Sequence, residues 1–345
     1  MGGNTSGQSS SGQWAGMLTI ALTLVGWSVT PVFISYLSPH IDFWTNNGWR
    51  YGMAALVWMP VLIIGARKGK IPPGLLRKAL VPSAVNVVAQ ILFTSGFYLI
   101  DPAMLIIGLR MQIIFVAIGA AILFAGERSV IASRGFIIGA SLATAGTVGV
   151  MVFELGEGAG NDRIVAGMAL AIGSGAGFGG YGLAVRHCMR GVPSYFAFAA
   201  ISQVTAGVLL VLMLIMAKDH GAVPLSLSPG LFGLLMLSAF TGIAGTHVLY
   251  YMSITRLGVA VSTAVLQLQP FGVGIISYFV LGERLSLPQW MCGVVAIGGA
   301  GLVLYIQHTM RHVPTVEPEI EDFAQLPPDA VAAAVIAERE TAAVE

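Results

Sequence analysis

The chain has 345 residues, of which 56% are hydrophobic and only 10% are charged, and its formal net charge is +1. Soluble globular proteins carry about 25% charged residues, so this chain could not cover its surface in water, and lipid must be the solvent for most of it. The two cysteines, Cys188 and Cys292, are too few and too isolated for a disulfide framework or a metal cluster.

Ten apolar runs are long enough to cross a bilayer, for which a helix needs about 20 mostly apolar residues. We expect no cleavable signal peptide before the first run, because residues 1–13 contain neither Lys nor Arg. The sequence therefore predicts an all-α integral membrane protein with ten transmembrane helices, at 14–37, 43–64, 76–99, 102–124, 133–153, 164–185, 194–216, 230–252, 259–281 and 287–307.

Lys and Arg are distributed unequally between the two sides of these spans. If the N-terminus is cytoplasmic, twelve basic residues fall inside and only Arg163, Lys218 and Arg284 fall outside. Because basic loops stay in the cytoplasm, this bias predicts a multi-pass protein of the cell inner (plasma) membrane with both termini cytoplasmic.

A short phrase occurs twice, as Ala-Gly-Glu-Arg at 125–128 and as Leu-Gly-Glu-Arg at 281–284. Each copy ends a long apolar run, and the correspondence extends upstream to Gln112 and Gln269. Five spans per half is an odd number, so the second half must lie upside down relative to the first. Repeats of this kind are typical of secondary transporters, which place the substrate site between the halves.

The duplication divides the chain into four parts. We predict a cytoplasmic N-terminal segment at 1–13, a first five-helix repeat at 14–155 and a second, inverted repeat at 160–312. Eight of the 16 acidic residues follow His312. Residues 313–345 are therefore predicted to be an acidic, disordered cytoplasmic tail.

Two arginines lie inside predicted spans, where a charge costs about 2.5–3.5 kcal/mol on insertion scales. Arg50 and Arg110 each lie about two helical turns within a span, so neither can face lipid. Each could be a counter-charge for a substrate carboxylate or phosphate, or could cap backbone carbonyls and snorkel. We favour the structural interpretation for Arg50 and leave both open for Arg110.

Other polar residues follow helical spacing within the spans. His247 could relay protons or serve as a hydrogen-bonding anchor, and Pro270 should kink the ninth span. Glycines crowd the sixth span, which favours close helix packing. The predicted substrate-binding residues are Gln90, Arg110, Gln112, His247, Gln267 and Gln269, and the predicted structural or cavity-polarity residues are Arg50, Asn46, Pro270, Glu127 and Glu283.

Enzyme motifs are missing from the chain, which contains no metal-binding His-Glu-x-x-His helix, nucleophile elbow or phosphate-binding loop. We therefore expect no catalysis, no metal, no cofactor and no ATP-driven pumping. The expected partners are a small-molecule substrate and membrane lipid, not nucleic acid, and a homodimer is left open.

Three segments resemble EamA-type members of the drug/metabolite transporter superfamily. Trp27 to Phe33 is similar to their first-helix motif, the segment around Arg50 to their second, and Gln269-Pro270 through Leu285 to the signature of the ninth helix and its turn. The first half departs from that pattern at Ile114, where a proline is common, and at Ser129. The resemblance implies ten helices in two inverted repeats around a central cavity, and the transport of small metabolites.

The sequence thus predicts a secondary transporter, an exporter of a small metabolite such as an amino acid, that works by alternating access. The alternative is a non-transporting receptor or assembly protein that acts through its cytoplasmic tail. Deletion of the residues after 313 separates the two, since solute flux should survive it only in a transporter. An ion channel would need a continuous polar pore, which these sparse polar stripes do not favour.

Overall fold

The computed structural model describes residues 10–123, 128–156, 161–257 and 265–310, and the regular elements in these ranges are all helical. Eight helices, or pairs of consecutive helices, are long and apolar enough to cross a membrane, and two further apolar segments are shorter. The α-helices are α1 Ser10–Leu37, α2 Phe43–Arg67, α3 Leu75–Gly96, α4 Pro102–Leu109, α5 Gln112–Leu123, α6 Arg128–Ile131, α7 Arg134–Gly156, α8 Asn161–Cys188, α9 Ser194–Met216, α10 Pro229–Ala239, α11 Thr246–Leu257, α12 Gln269–Leu281 and α13 Leu287–Met310.

Local chemistry explains where several helices begin and end. The Asp42 carboxylate accepts hydrogen bonds from the backbone N–H groups of Trp44 and Thr45, both at 3.0 Å, and so caps the start of α2. Pro102 begins α4, where its missing N–H costs nothing. Gly282 ends α12 with φ +73°, a left-handed conformation that glycine adopts without strain.

Two pairs of helices that hold the same place in each half pack antiparallel. Gly48 of α2 abuts Met213 of α9, whereas Gly65 near the other end of α2 abuts Phe196. Helices α7 and α13, the fifth and tenth spans, also pack antiparallel. The last helices of the two halves therefore run in opposite directions along each other.

The interface between α7 and α13, here called the seam, brings two backbones into contact. A Cβ added at Gly146 would lie 2.4 Å from the backbone nitrogen of Ala296, and one at Gly139 would lie 2.9 Å from the carbonyl oxygen of Gly299. Only glycine allows this approach, which maximises dispersion contact between membrane helices.

Helix α8 packs against α3, α4 and α5 and confirms the expectation of close packing in the sixth span. Gly177 lies against Ala89 of α3, and Gly175 lies against the backbone between α4 and α5. Helix α1 of the first half likewise contacts α11 and α12 of the second half. The first helix of each half thus packs against the third and fourth spans of the opposite half.

Candidate functional site

Two helices are broken at corresponding positions near the middle of the bundle. The fourth span is interrupted by a turn at Arg110 and Met111, and the ninth by a turn at Gln267 and Leu268. The new helices α5 and α12 then begin at Gln112 and Gln269, the pair that the sequence repeat aligns. The predicted kink at Pro270 is therefore a complete break, with the proline in the first turn of the following helix.

A chain of hydrogen bonds joins these breaks to α1. Pro31 has no N–H, so the Trp27 carbonyl one turn earlier lacks its usual helical donor. The Gln269 side chain replaces that donor, because its Nε2 lies 2.6 Å from the Trp27 oxygen. Arg110 in turn donates from Nη2 to Gln269 Oε1. One glutamine thus couples α1, the break in the fourth span and the start of α12.

The surroundings of Arg110 are suited to a negative charge. Its Nε atom is buried without a partner, and no carboxylate among the described residues contacts its guanidinium group. Both α5 and α12 start here, and the N–H groups of their first turns already bond in part to the preceding turns, as Ile113 does to Arg110 and Phe271 to Leu268. A half-buried cation with an unpaired N–H group and no carboxylate partner favours an anionic group of a bound molecule.

Aromatic side chains lie next to this charged group. The Trp27 ring is 5.4 Å from His247 and 5.2 Å from Tyr250, measured between centroids, and Phe198 stacks on His247 at 5.0 Å. His247 Nδ1 lies 3.0 Å from the Ile243 carbonyl oxygen, which can only accept. Nδ1 therefore donates to this oxygen, and in the neutral form of the ring Nε2 is an acceptor.

The eighth span contains a π-helical turn, Phe240–Ala244, before α11. The Trp58 indole of α2 donates to the Ala244 carbonyl oxygen at 3.1 Å. The Thr30 and Thr241 hydroxyls lie 3.0 Å apart, and a Cβ at Gly242 would clash with Thr30. The irregular turn is therefore held between α1 and α2, beside the aromatic group.

The polar stripe of α3 is mostly used for packing between helices. Thr94 donates to Asn47 Oδ1 at 2.7 Å, and Asn86 Nδ2 donates to the Tyr51 hydroxyl at 3.1 Å. The Gln90 carbonyl accepts from Asn47, whereas Gln90 Oε1 is buried without a partner.

The structure thus joins Arg110 and Gln269 directly and places His247 beside Trp27. Gln112 is half-buried at the start of α5, and Gln267 is buried in the other break with Oε1 unpaired. Gln90 instead lies at the interface of α3 with α2, as part of a second polar region that includes two of the predicted structural residues, Asn46 and Arg50.

Of the two Glu-Arg phrases, Glu127 lies outside the described residues. Glu283 belongs to a group of carboxylates at the end of the bundle where α3 joins α4, here called the Asp101 end. Burial, together with the nearby charge of Asp101, raises the pKa of Glu283 to about 8. Burial and Glu154 raise the pKa of Asp101. Gln289, fully buried on α13, donates to Glu154.

Sequence reasoning did not find the break at Arg110, because no proline or glycine occurs at Arg110, Met111 or Gln112. It also did not assign a partner to Trp27. The sequence nevertheless contained the signal, because in an α-helix a proline at position 31 leaves the carbonyl of residue 27 without its N–H donor.

Comparison with known proteins agrees with this architecture. Seventeen solved chains match, among them a crystal structure with a TM-score of 0.56 at 15% sequence identity, over 88% of this chain and 99% of the other. No relative was found among curated proteins. A family model described as EamA-like transporter matches residues 14–152 and again 165–305. The chain therefore belongs to the EamA-like transporter family.

Proposed function

We propose that this protein is a secondary transporter that exports a small metabolite carrying a negatively charged group, such as an amino acid. One observation carries the proposal: Arg110 lies half-buried at the break in the fourth span, its Nε atom is buried and unpaired, and no acidic side chain among the described residues contacts it. Such a group binds a carboxylate more strongly than water does, provided that the carboxylate reaches it.

The neighbouring side chains extend this proposal to the rest of the substrate. His247 Nε2 can accept a hydrogen bond from an ammonium group, and Trp27 and Tyr250 offer aromatic surfaces for an apolar side chain. Gln112 and Gln267, one at each break, would contact the polar groups. Gln90, at the interface of α3 with α2, would line the path of the substrate through the bundle.

Alternating access would follow from the two halves. We propose repeats at 14–155 and 160–312 that lie inverted in the plasma membrane, with both termini cytoplasmic and the Asp101 end facing outside. The antiparallel packing of α2 with α9 and of α7 with α13 supports the inversion. The breaks give the bundle places where half-helices could tilt without breaking a continuous hydrogen-bond ladder.

Flux measurements in proteoliposomes test the role of Arg110. Candidate anionic and zwitterionic metabolites are first ranked by an export or resistance profile on overexpression. Arg110→Ala should then reduce flux at least about 100-fold, because losing a charge-assisted bond to a desolvated anion costs about 3 kcal/mol. Exposed Lys68 offers a matched control, and Lys68→Ala should transport normally. Unchanged flux in Arg110→Ala would contradict the proposal.

Labelling tests the orientation independently of transport. In a background without Cys188 and Cys292, cysteines are placed at 128 and at 284. A reagent that cannot cross the membrane should modify the cysteine at 284 in intact cells and spare the one at 128. Equal reactivity would contradict the inverted arrangement.

A further inference from the structure

Helix α2 carries a second buried cation that the proposed site does not use. Four polar residues at its start are buried, and two of them are fully engaged: Thr45 with Asp42, and Asn47 with Thr94. Asn46 and Arg50 differ: the two atoms of the Asn46 amide, which lie near the Tyr98 hydroxyl, and the Nε and Nη1 atoms of Arg50 are buried and lack a hydrogen bond of normal geometry.

These unpaired atoms belong to two residues on one face of α2, because Asn46 and Arg50 are four residues apart. They are 0% and 2% exposed. The guanidinium extends towards the π-helical turn, since a Cβ at Gly242 would lie 2.6 Å from Arg50 Nη2 and 2.7 Å from Thr30 Cγ2. The Arg50 guanidinium therefore lies between α1, α2 and the π-helical turn before α11.

A buried guanidinium without a counter-charge is costly, and no carboxylate among the described residues pairs with Arg50. The Thr45 and Asn47 side chains of the same helix are nevertheless paired, so the region is not simply loosely packed. Three of the unpaired atoms are N–H donors, Arg50 Nε, Arg50 Nη1 and Asn46 Nδ2, and one, Asn46 Oδ1, is an acceptor. Donors of this number and sign match a small anion rather than a cation.

We propose that Arg50 and Asn46 form a binding site for a small monovalent anion, separate from Arg110. The anion is either an inorganic ion such as chloride or nitrate, or the carboxylate of an organic acid. The planar guanidinium fork suits both, and the full burial of Asn46 restricts the site to a group of few atoms.

Thermal unfolding of the purified full-length protein in detergent tests the site. Tm is measured at constant ionic strength while gluconate, which is too bulky to enter, is replaced by chloride, nitrate or acetate. An anion that binds only the folded protein should raise Tm by roughly 5 °C at about 100 times its Kd. Stabilisation by chloride indicates a resident inorganic ion, and stabilisation by acetate alone indicates an organic acid group. Both results support the site, and an equal Tm in all four anions overturns it.

Variants locate the effect. Asn46→Asp supplies an internal carboxylate beside Arg50, so Tm should become independent of the anion. Arg110→Gln and Lys68→Ala should keep the full anion dependence, which separates this site from the proposed substrate site. If the dependence persists in Asn46→Asp, or disappears in Arg110→Gln instead, the assignment to Arg50 is wrong.

A direct measurement covers the case in which Asn46→Asp does not fold. Crystals of the unaltered protein grown in bromide should show an anomalous difference peak within about 3.5 Å of the Arg50 guanidinium. A peak elsewhere, or none, with acetate also absent from this position, would overturn the proposal.

Discussion

The seam between α7 and α13 and the junction of the two broken spans lie in one bundle but use opposite chemistry. At the seam, glycine brings two continuous backbones within contact, and nothing polar is needed. At the junction the backbone is interrupted, and side chains of Arg110 and Gln269 supply hydrogen bonds that the helices lack. The seam can only open by losing contact over its whole length, whereas the junction can exchange one hydrogen-bond partner for another. We therefore expect the seam to be the fixed part and the junction the part that moves.

The seam should be the more sensitive region to added volume. Gly146→Val places side-chain atoms where the α13 backbone lies, at 2.4 Å from the Ala296 nitrogen. Because neither backbone can move alone, the free energy of unfolding should fall by more than about 4 kcal/mol, with loss of the monodisperse peak in size-exclusion chromatography. Gly298→Val on α13, the partner helix, is the matched control, since no atom lies within 4 Å of its added Cβ. Equal behaviour of the two variants would show that the seam is not tightly packed.

The junction should tolerate volume but not the loss of hydrogen bonds. Gln269→Met has a similar size and leaves both Arg110 and the Trp27 carbonyl without their partner. We expect a loss of about 2–3 kcal/mol in the free energy of unfolding, measured in mixed detergent micelles. Pro31→Ala restores an N–H for the Trp27 carbonyl, so in that background the cost of Gln269→Met should be about 1 kcal/mol smaller. Strictly additive costs would contradict the role of Gln269 as a substitute donor.

The two regions meet at the Asp101 end, where Glu154 belongs to the seam and Glu283 follows a broken span. The pKa of Glu283 is raised to about 8, so the folded protein binds this proton more tightly than the unfolded chain, where a glutamate has a pKa near 4.3. Stability should therefore fall as the pH rises from about 4.3 to 8 and level off above that. We expect Tm to be about 2 °C lower at pH 8 than at pH 5, and Glu283→Gln to remove that part of the change. A pH profile that is identical in the variant would show that Glu283 does not titrate in this range.

The sequence was sufficient for the repeat and for the family, because hydrophobic length and the doubled Gly-Glu-Arg phrase are local patterns. It also marked the break in the ninth span, since Pro270 cannot donate to the helix ladder. The corresponding break at Arg110 has no such residue, and Ile114 occupies the position where a proline would have signalled it. That break depends on contacts with Gly175 of α8 and with Gln269, which are far apart in the chain.

The site residues, too, were predictable where the signal is local and not where it depends on contacts between distant parts of the chain. Residue type identified Arg110, Gln269 and His247 as costly groups within spans, but their partners could not be read from spacing. Gln90, like His247, was predicted from polar residues that follow helical spacing within a span. The two differ because α3 is a continuous helix paired with α2, whereas the eighth span is interrupted by the π-helical turn before His247.

That turn has a consequence for the direction of transport. A carrier made of two identical halves would have two mirror-related states of equal free energy, and would open to either compartment half of the time. The extra residue at Phe240–Ala244 has no counterpart among the described residues of the first half and so distinguishes the two halves. If the proposed alternating access is correct, unmatched elements of this kind would contribute to a resting preference for one compartment, and this one lies beside the aromatic group of Trp27 and His247.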